Sequence, residues 1–296
     1  MSELPGDPNP PYGVIAHGTV LIQNNGEYAL QACVELAGGY DLHVVLNEGD
    51  ARIGAGGVDV ASSPYSLICT YGTAYADTSN STGPELSTAV AGNVSFIEVT
   101  VRDIYGNLVR GNSSDAQLTA ELLNDPSVMF NVSSYNNGTF TLQYIARKSG
   151  NASLSLLVSD VPIFGSPFTV TVTPGLTSAA VSFATGMGLV QGIVGLPSTF
   201  AVTSLDAEGN RQLSDVDSYV FTATPLLNST LANLTGSLLP CQLNIPACGG
   251  DIVGRYFGSF VPTLAGVWNV SLLLNSPLAG LVEISDSPFL PLVSLA

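Results

Sequence analysis

Val90-Ala91-Gly92-Asn93-Val94-Ser95-Phe96, followed by Asp103-Ile104-Tyr105-Gly106-Asn107, decides how this chain is read, because the pair comes back. About 103 residues later Val194-Gly195-Leu196-Pro197-Ser198-Thr199-Phe200 is followed by Asp206-Ala207-Glu208-Gly209-Asn210. Self-similarity at a fixed long period marks a structural unit used more than once.

A second set recurs three times. Asn25-Gly26-Glu27-Tyr28, Asn137-Gly138-Thr139-Phe140 and Gly254-Arg255-Tyr256 each open an apolar stretch. A glycine turn follows in each case: Ala37-Gly38-Gly39-Tyr40, Lys148-Ser149-Gly150-Asn151 or Leu264-Ala265-Gly266-Val267-Trp268. Each ends in Ser-Pro-aromatic, at Ser63-Pro64-Tyr65, Ser166-Pro167-Phe168 and Ser287-Pro288-Phe289.

Between these landmarks apolar residues alternate, as in Val94 and Phe96, Val99 and Val101, Phe140, Leu142 and Tyr144, or Leu154, Leu156 and Val158. Alternation of period two with Gly- and Asn-rich turns predicts half-buried strands, and no stretch keeps the 3.6-residue period of an amphipathic helix. The fold class is all-β. Glycine in the Asp-x-x-Gly-Asn turn takes positive φ without steric cost. The aromatic after each Asn-Gly turn points inward, and proline in Ser-Pro-aromatic suits a strand start, where no ladder bond is lost.

The ordered set A-G-x-x-x-x-F, D-x-x-G-N, N-G-x-Y/F, x-x-G-x-Y and G-S-P-F resembles the filamin-type immunoglobulin-like repeat, over roughly residues 13 to 295. The resemblance implies tandem β-sandwiches. Ala152 departs from it, standing where an aromatic is expected, and Gly254-Arg255-Tyr256 replaces the usual Asn-Gly turn.

Three units are expected: a partial one over 1–71 carrying only the second half of the pattern, then 72–174 and 175–296. The first half of the partial unit would lie upstream of Met1, and the chain opens without a basic and apolar leader, as a mature or excised fragment would. The Ser-Pro landmarks are 103 and then 121 residues apart, so the third unit carries an insertion, placed at about 226–250. Short linkers predict a semi-rigid rod.

Of 296 residues only 10% are charged, and seven Lys+Arg against 23 Asp+Glu give a formal charge of −16. Such a chain repels phosphate backbones and anionic lipid surfaces, so neither nucleic acid nor a membrane surface is expected as partner. The uncharged stretch from Gly175 to Leu205 is long enough to span a bilayer. Its Gly, Ser, Thr, Pro197 and Gln191 and its short alternating runs read as strands instead, so no membrane insertion is expected.

Nine N-x-S/T sequons occur, at Asn80, Asn93, Asn112, Asn131, Asn137, Asn151, Asn228, Asn233 and Asn269. Chance would supply roughly three or four, and the excess predicts N-linked glycans and a secreted history. Cys33, Cys69, Cys241 and Cys248 lack metal-type spacing; Cys241 and Cys248, seven residues apart, suit a local clip, and Cys33 and Cys69 would tie two strands of the first unit, an arrangement that fits an oxidising compartment.

Catalytic constellations are weak. The two histidines, His17 and His43, have no G-x-S-x-G nucleophile elbow to serve, and the acidic pairs Glu48/Asp50 and Asp215/Asp217 sit in polar loops. Asp103, Asp215 and Asp217 do not complete a calcium ligand set, and Trp268 and Tyr256 read as core. No enzyme, cofactor or metal is expected. The resemblance implies a binding module: family members use the groove beside a sheet edge, and such repeats occur in ectodomains, including gamete adhesion proteins of plants and green algae. The expectation is an extracellular, cell-surface adhesion or interaction module whose partner is another surface protein or a second copy. A structural rod of a matrix or surface appendage and an intracellular scaffold are the alternatives.

Overall fold

The structure, a computed structural model, describes residues 18–22, 26–46, 58–111, 116–123, 125–134, 137–227, 232–250 and 252–295. The elements of known bounds among the described residues are strands and three short 3₁₀ turns. Among the described residues no helix is long and apolar enough to cross a membrane.

The first unit contributes β1 (Gly18–Ile22), β2 (Tyr28–Ala32), β3 (Gly38–Leu42), β4 (Val45–Leu46), β5 (Val58–Asp59) and β6 (Tyr65–Cys69). They pair as β1-β2, β3-β6 and β4-β5.

The second unit contains β7 (Ala74–Thr82), β8 (Thr88–Val90), β9 (Ser95–Asp103), β10 (Leu118–Leu122), β11 (Asn131–Ser134), β12 (Thr139–Tyr144), β13 (Gly150–Val158), β14 (Val161–Pro162) and β15 (Phe168–Thr173). One sheet runs β10-β13-β15-β8 with β14 on β13, and the other runs β11-β12-β9-β7. The chain changes sheets at Gly83, whose φ of 135° opens the turn Pro84–Leu86, so that β7 lies antiparallel to β9 while β8 lies parallel to β15.

The third unit repeats the plan with β16 (Phe183–Thr185), β17 (Gln191–Ile193), β18 (Ser198–Thr203), β19 (Tyr219–Pro225), β20 (Leu234–Ser237), β21 (Leu239–Pro240), β22 (Arg255–Phe260), β23 (Gly266–Ser276), β24 (Gly280–Glu283) and β25 (Leu292–Ser294). Its sheets are β16-β18-β22-β21 and β17-β25-β23-β19-β20, with β24 on β23.

Each of these two sandwiches closes over its own core. Ile97, Val99, Phe140, Leu142, Leu154, Leu156 and Val170 fill the second, and Phe200, Phe221, Tyr256, Trp268, Val270 and Leu272 the third. Each such side chain contributes about 1.5–3 kcal/mol by leaving water. Among the described residues the first unit has no matching cover: Tyr28 and Leu30 are 64% and 55% exposed, whereas Phe140 and Leu142, at the same places in the second, are fully buried.

Two details depart from the sequence reading. Phe96 faces solvent and Ile97 takes the buried place that Phe200 holds in the third unit, because a slip of one residue exchanges the two faces of a strand. The serine of each Ser-Pro-aromatic element also has a function of its own. Ser63, Ser166 and Ser287 Oγ accept the backbone N–H of Val44, Leu156 and Leu272 at 3.0, 2.9 and 3.0 Å, and all three Ser-Pro bonds are cis.

Candidate functional site: the joints between units

The Asp-x-x-Gly-Asn element does more than turn the chain. Asp206, three residues past the end of β18, is 1% exposed. Its Oδ1 accepts the N–H groups of Glu208 and Asn210 at 3.0 and 2.8 Å. Its Oδ2 accepts the N–H of Gly175, two residues past β15, at 2.8 Å, and the side-chain amide of Asn210 at 2.9 Å. Gly209, with φ of 86°, supplies the conformation that lets the turn fold back over the carboxylate.

So held, Asn210 reaches into the preceding unit. Its Nδ2 also donates to the carbonyl of Arg147 at 2.7 Å, and its Oδ1 accepts the N–H of Ser149 at 2.8 Å. Arg147 Nη1 adds an ion pair to Glu208 Oε2 at 2.9 Å. A Cβ on Gly175 would stand 2.9 Å from the carbonyl of Ala91, so the close approach of the two units requires glycine there.

The same device joins the first and second units. Asp103 accepts from Tyr105, Asn107 and Gly72 N–H and from Asn107 Nδ2, at 3.0, 2.9, 2.8 and 2.9 Å. Asn107 Nδ2 donates to Glu35 O at 2.7 Å, and Ala37 N–H donates to Asn107 Oδ1 at 2.8 Å. Burial pushes the Asp103 carboxyl up, but the hydrogen bonds from Gly72, Asn107 and Tyr105 outweigh it and hold it below the usual carboxylate range.

A second feature sets the third unit apart. β20 pairs antiparallel with β19, Phe221 opposite Gly236, and β21 then crosses to pair with β22. The insertion thus covers the outer edge of β19. In the second unit β10 has the same place in its sheet, and among the described residues no strand pairs with its outer edge. Cys241 and Cys248 are joined by a disulfide, as the spacing suggested. They pack with Ala201, Ile245, Ile252 and Phe257 against the outer face of β18 and β22, so the insertion is a folded patch instead of a free loop.

The remaining predicted residues scatter. Cys33 and Cys69 carry free thiols, and Cys69 Sγ turns to the carbonyl of Val34 at 3.7 Å, so the bridge expected between them is not formed in this structure. Asn80, Asn93, Asn131, Asn137, Asn151 and Asn233 are exposed, Asn269 is half-buried, and Asn112 and Asn228 lie outside the described residues. His17, Glu48 and Asp50 lie outside them too, and His43 sits exposed, 3.7 Å from Asp59. Asp215 accepts from Gly254 N–H, and Asp217 accepts from the Thr177 hydroxyl. Trp268 and Tyr256 are buried.

A family model described as the Filamin/ABP280 repeat matches residues 74–169. Residues 74–169 thus form a filamin-type repeat. Mouse tripartite motif-containing protein 3 is 40% identical over 91 residues, which is 30% of this chain and 12% of that protein. The chain therefore matches about an eighth of that relative's length. Among solved structures, the FdeC adhesin of Escherichia coli aligns over 93% of this chain and 80% of its own at 15% identity and a TM-score of 0.52, a likeness of fold. The Lin-41 filamin domain aligns over 35% of this chain and all of its own, at 26% identity and a TM-score of 0.32.

Proposed function

We propose that this chain is a non-catalytic extracellular module, a jointed rod of filamin-type repeats that works in adhesion or interaction at a cell surface. The observation that carries the reading is the joint, built twice from the same atoms. A turn whose only task was to reverse the chain would not need an asparagine that spends its whole carboxamide on the neighbouring unit and a buried aspartate.

Several features support the rest of the reading. Six sequons stand exposed on the two sandwiches and a disulfide braces the insertion, both suited to an oxidising, glycosylating compartment. FdeC, which shares the fold, is an adhesin. The outer edge of β10 offers a row of backbone groups to which a partner strand can add, whereas β20 already fills that place on β19. Partner binding at a sheet edge is thus assigned to the second unit, with another surface protein, as in cell–cell or gamete-type contact, as the partner.

The test is to apply the natively produced, labelled protein to intact cells of its own source. Saturable binding lost on blocking the outer edge of β10, for instance by Ala120→Pro, supports the proposal. Unmodified sequons in the native protein, or labelling confined to the cell interior, would overturn it in favour of an intracellular scaffold.

A further inference from the structure

Each joint has two halves. One is the Asp-x-x-Gly-Asn turn, and the other is the loop before the glycine that opens the next strand: Glu35, Leu36 and Ala37 before Gly38, then Arg147, Lys148 and Ser149 before Gly150. The third unit has the same loop in Thr263, Leu264 and Ala265 before Gly266. Gly266 and Gly150 share a positive φ, of 125° and 116°. Gly195 N–H donates to Pro262 O at 2.9 Å, as Gly92 N–H does to Ala146 O. Trp268 Nε1 donates to Leu264 O at 3.0 Å, as the Tyr40 hydroxyl does to Leu36 O at 2.7 Å, so this loop shares one restraint with each of the two docked loops.

What differs is the occupant. Thr263, Leu264 and Ala265 are exposed, and among the described residues nothing donates to Thr263 O or accepts from Ala265 N–H. Leu196 and Leu264 stand exposed at this end, where the second unit has Asn93 and Lys148. A surface more apolar than the covered one is matched to burial.

We propose that this end of the third unit is an open socket for the Asp-x-x-Gly-Asn turn of a further filamin-type repeat joined in series. A second copy of this chain does not fit the part, because its turns at Asp103–Asn107 and Asp206–Asn210 are both engaged within the chain. Joining in series is favoured because the buried aspartate also binds the first N–H after the linker, at Gly72 and Gly175, so the turn and the linker are set together. The proposal rests on the rod reading and names the rod's neighbour.

The experiment extends the chain after Leu295 with a second copy of residues 175–296, which keeps the Ser-Pro-to-glycine spacing of the existing joint. Amide hydrogen exchange is then followed at Ala265, with Ser149 as internal reference and the β23 amides as the check that the sandwich is folded. The expected result is exchange at Ala265 slowed about tenfold or more against the unextended chain, as one hydrogen bond of about 1.4 kcal/mol gives, and restored by Asn→Ala at the copied equivalent of Asn210. Fast exchange at Ala265 with Ser149 still protected would overturn the open socket and leave the rod standing. Fast exchange at Ser149 as well would overturn the rod reading itself.

Discussion

The carboxamide of Asn210 and the carbonyl of Arg147 meet at 2.7 Å across the boundary between two sandwiches, and Asn107 and Glu35 repeat that meeting at 2.7 Å one unit earlier. An asparagine conserved in position between repeats of one chain is thus a structural joint with an identified partner. Its effect on each partner can be measured.

Replacing Asn210 by Ala removes the hydrogen bonds to Arg147, Ser149 and Asp206 together. Net contributions of about 0.5–1.5 kcal/mol apiece, larger where the partner is charged, predict that the joint opens while both cores stay folded. Asn210→Asp is expected to be worse, since it sets a second carboxylate beside Asp206 and leaves the Arg147 carbonyl facing an oxygen. Small-angle scattering of the whole chain should show a broader distribution of shapes for either variant, with the third unit melting slightly lower because its own bond to Asp206 is lost. The Arg147–Glu208 pair is exposed on its arginine side, so Glu208→Gln should change little, by less than about 1 kcal/mol.

How much of this the amino-acid sequence reveals depends on where the partner atoms are. Alternation at Phe140, Leu142 and Tyr144 needs only side chains, and it reads as strand. The role of Asn107 does not, because its partners, Glu35 O and Ala37 N–H, are backbone atoms common to every residue. Phe96 misleads for a related reason: two apolar neighbours, Phe96 and Ile97, fit either phase of a period-two pattern, and only the paired strand settles which faces inward. The insertion announces its length through the Ser-Pro spacing, yet Leu234-Thr235-Gly236-Ser237 has no alternation, so its place on the edge of β19 cannot be seen before the sheet is built.

Acid should open the first joint. The folded Asp103 carboxyl lies below its ordinary value of about 3.9, so it contributes stability that is fully present above that pH and lost as pH falls through the folded value. Protection of the Ala37 amide is therefore expected to hold from pH 8 to about 5 and to fall away below about 4. Asp103→Asn should remove that dependence and leave Ala37 weakly protected at every pH.

Gly175 lies at a close approach between the second and third units. Gly175→Ala puts a methyl group 2.9 Å from the Ala91 carbonyl, a contact that only movement of one unit relieves. The cost of such overpacking is about 1–3 kcal/mol, and it should appear as faster exchange at Ser149 with little change within either core. Gly72→Ala, whose nearest neighbour would be the Asp103 carboxylate at 3.4 Å, should be milder.

Glycan occupancy should follow exposure. Asn80, Asn93, Asn131, Asn137, Asn151 and Asn233 present their side chains to solvent, whereas Asn269 lies half-buried on β23 with its carboxamide oxygen sealed from water. Peptide mapping of the natively produced protein before and after N-glycosidase is expected to find Asn269 unmodified while the exposed sites carry glycan. Modification at Asn269 would mean that its strand is reached before it pairs.

The disulfide should matter to one sandwich alone. Closing a loop of seven residues between Cys241 and Cys248 restricts the unfolded chain by about 2 kcal/mol, and the bridge also packs on Ala201, which otherwise faces outward from β18. Replacing both cysteines by serine removes the restriction and leaves the outer face of β18 and β22 poorly covered. The third unit should then melt several degrees lower, with the second unchanged, as two separated transitions in calorimetry. β20 is held on the edge of β19 by the same insertion, so the reduced or substituted protein should self-associate at lower concentration than the intact chain, because it exposes a further strand edge open to pairing.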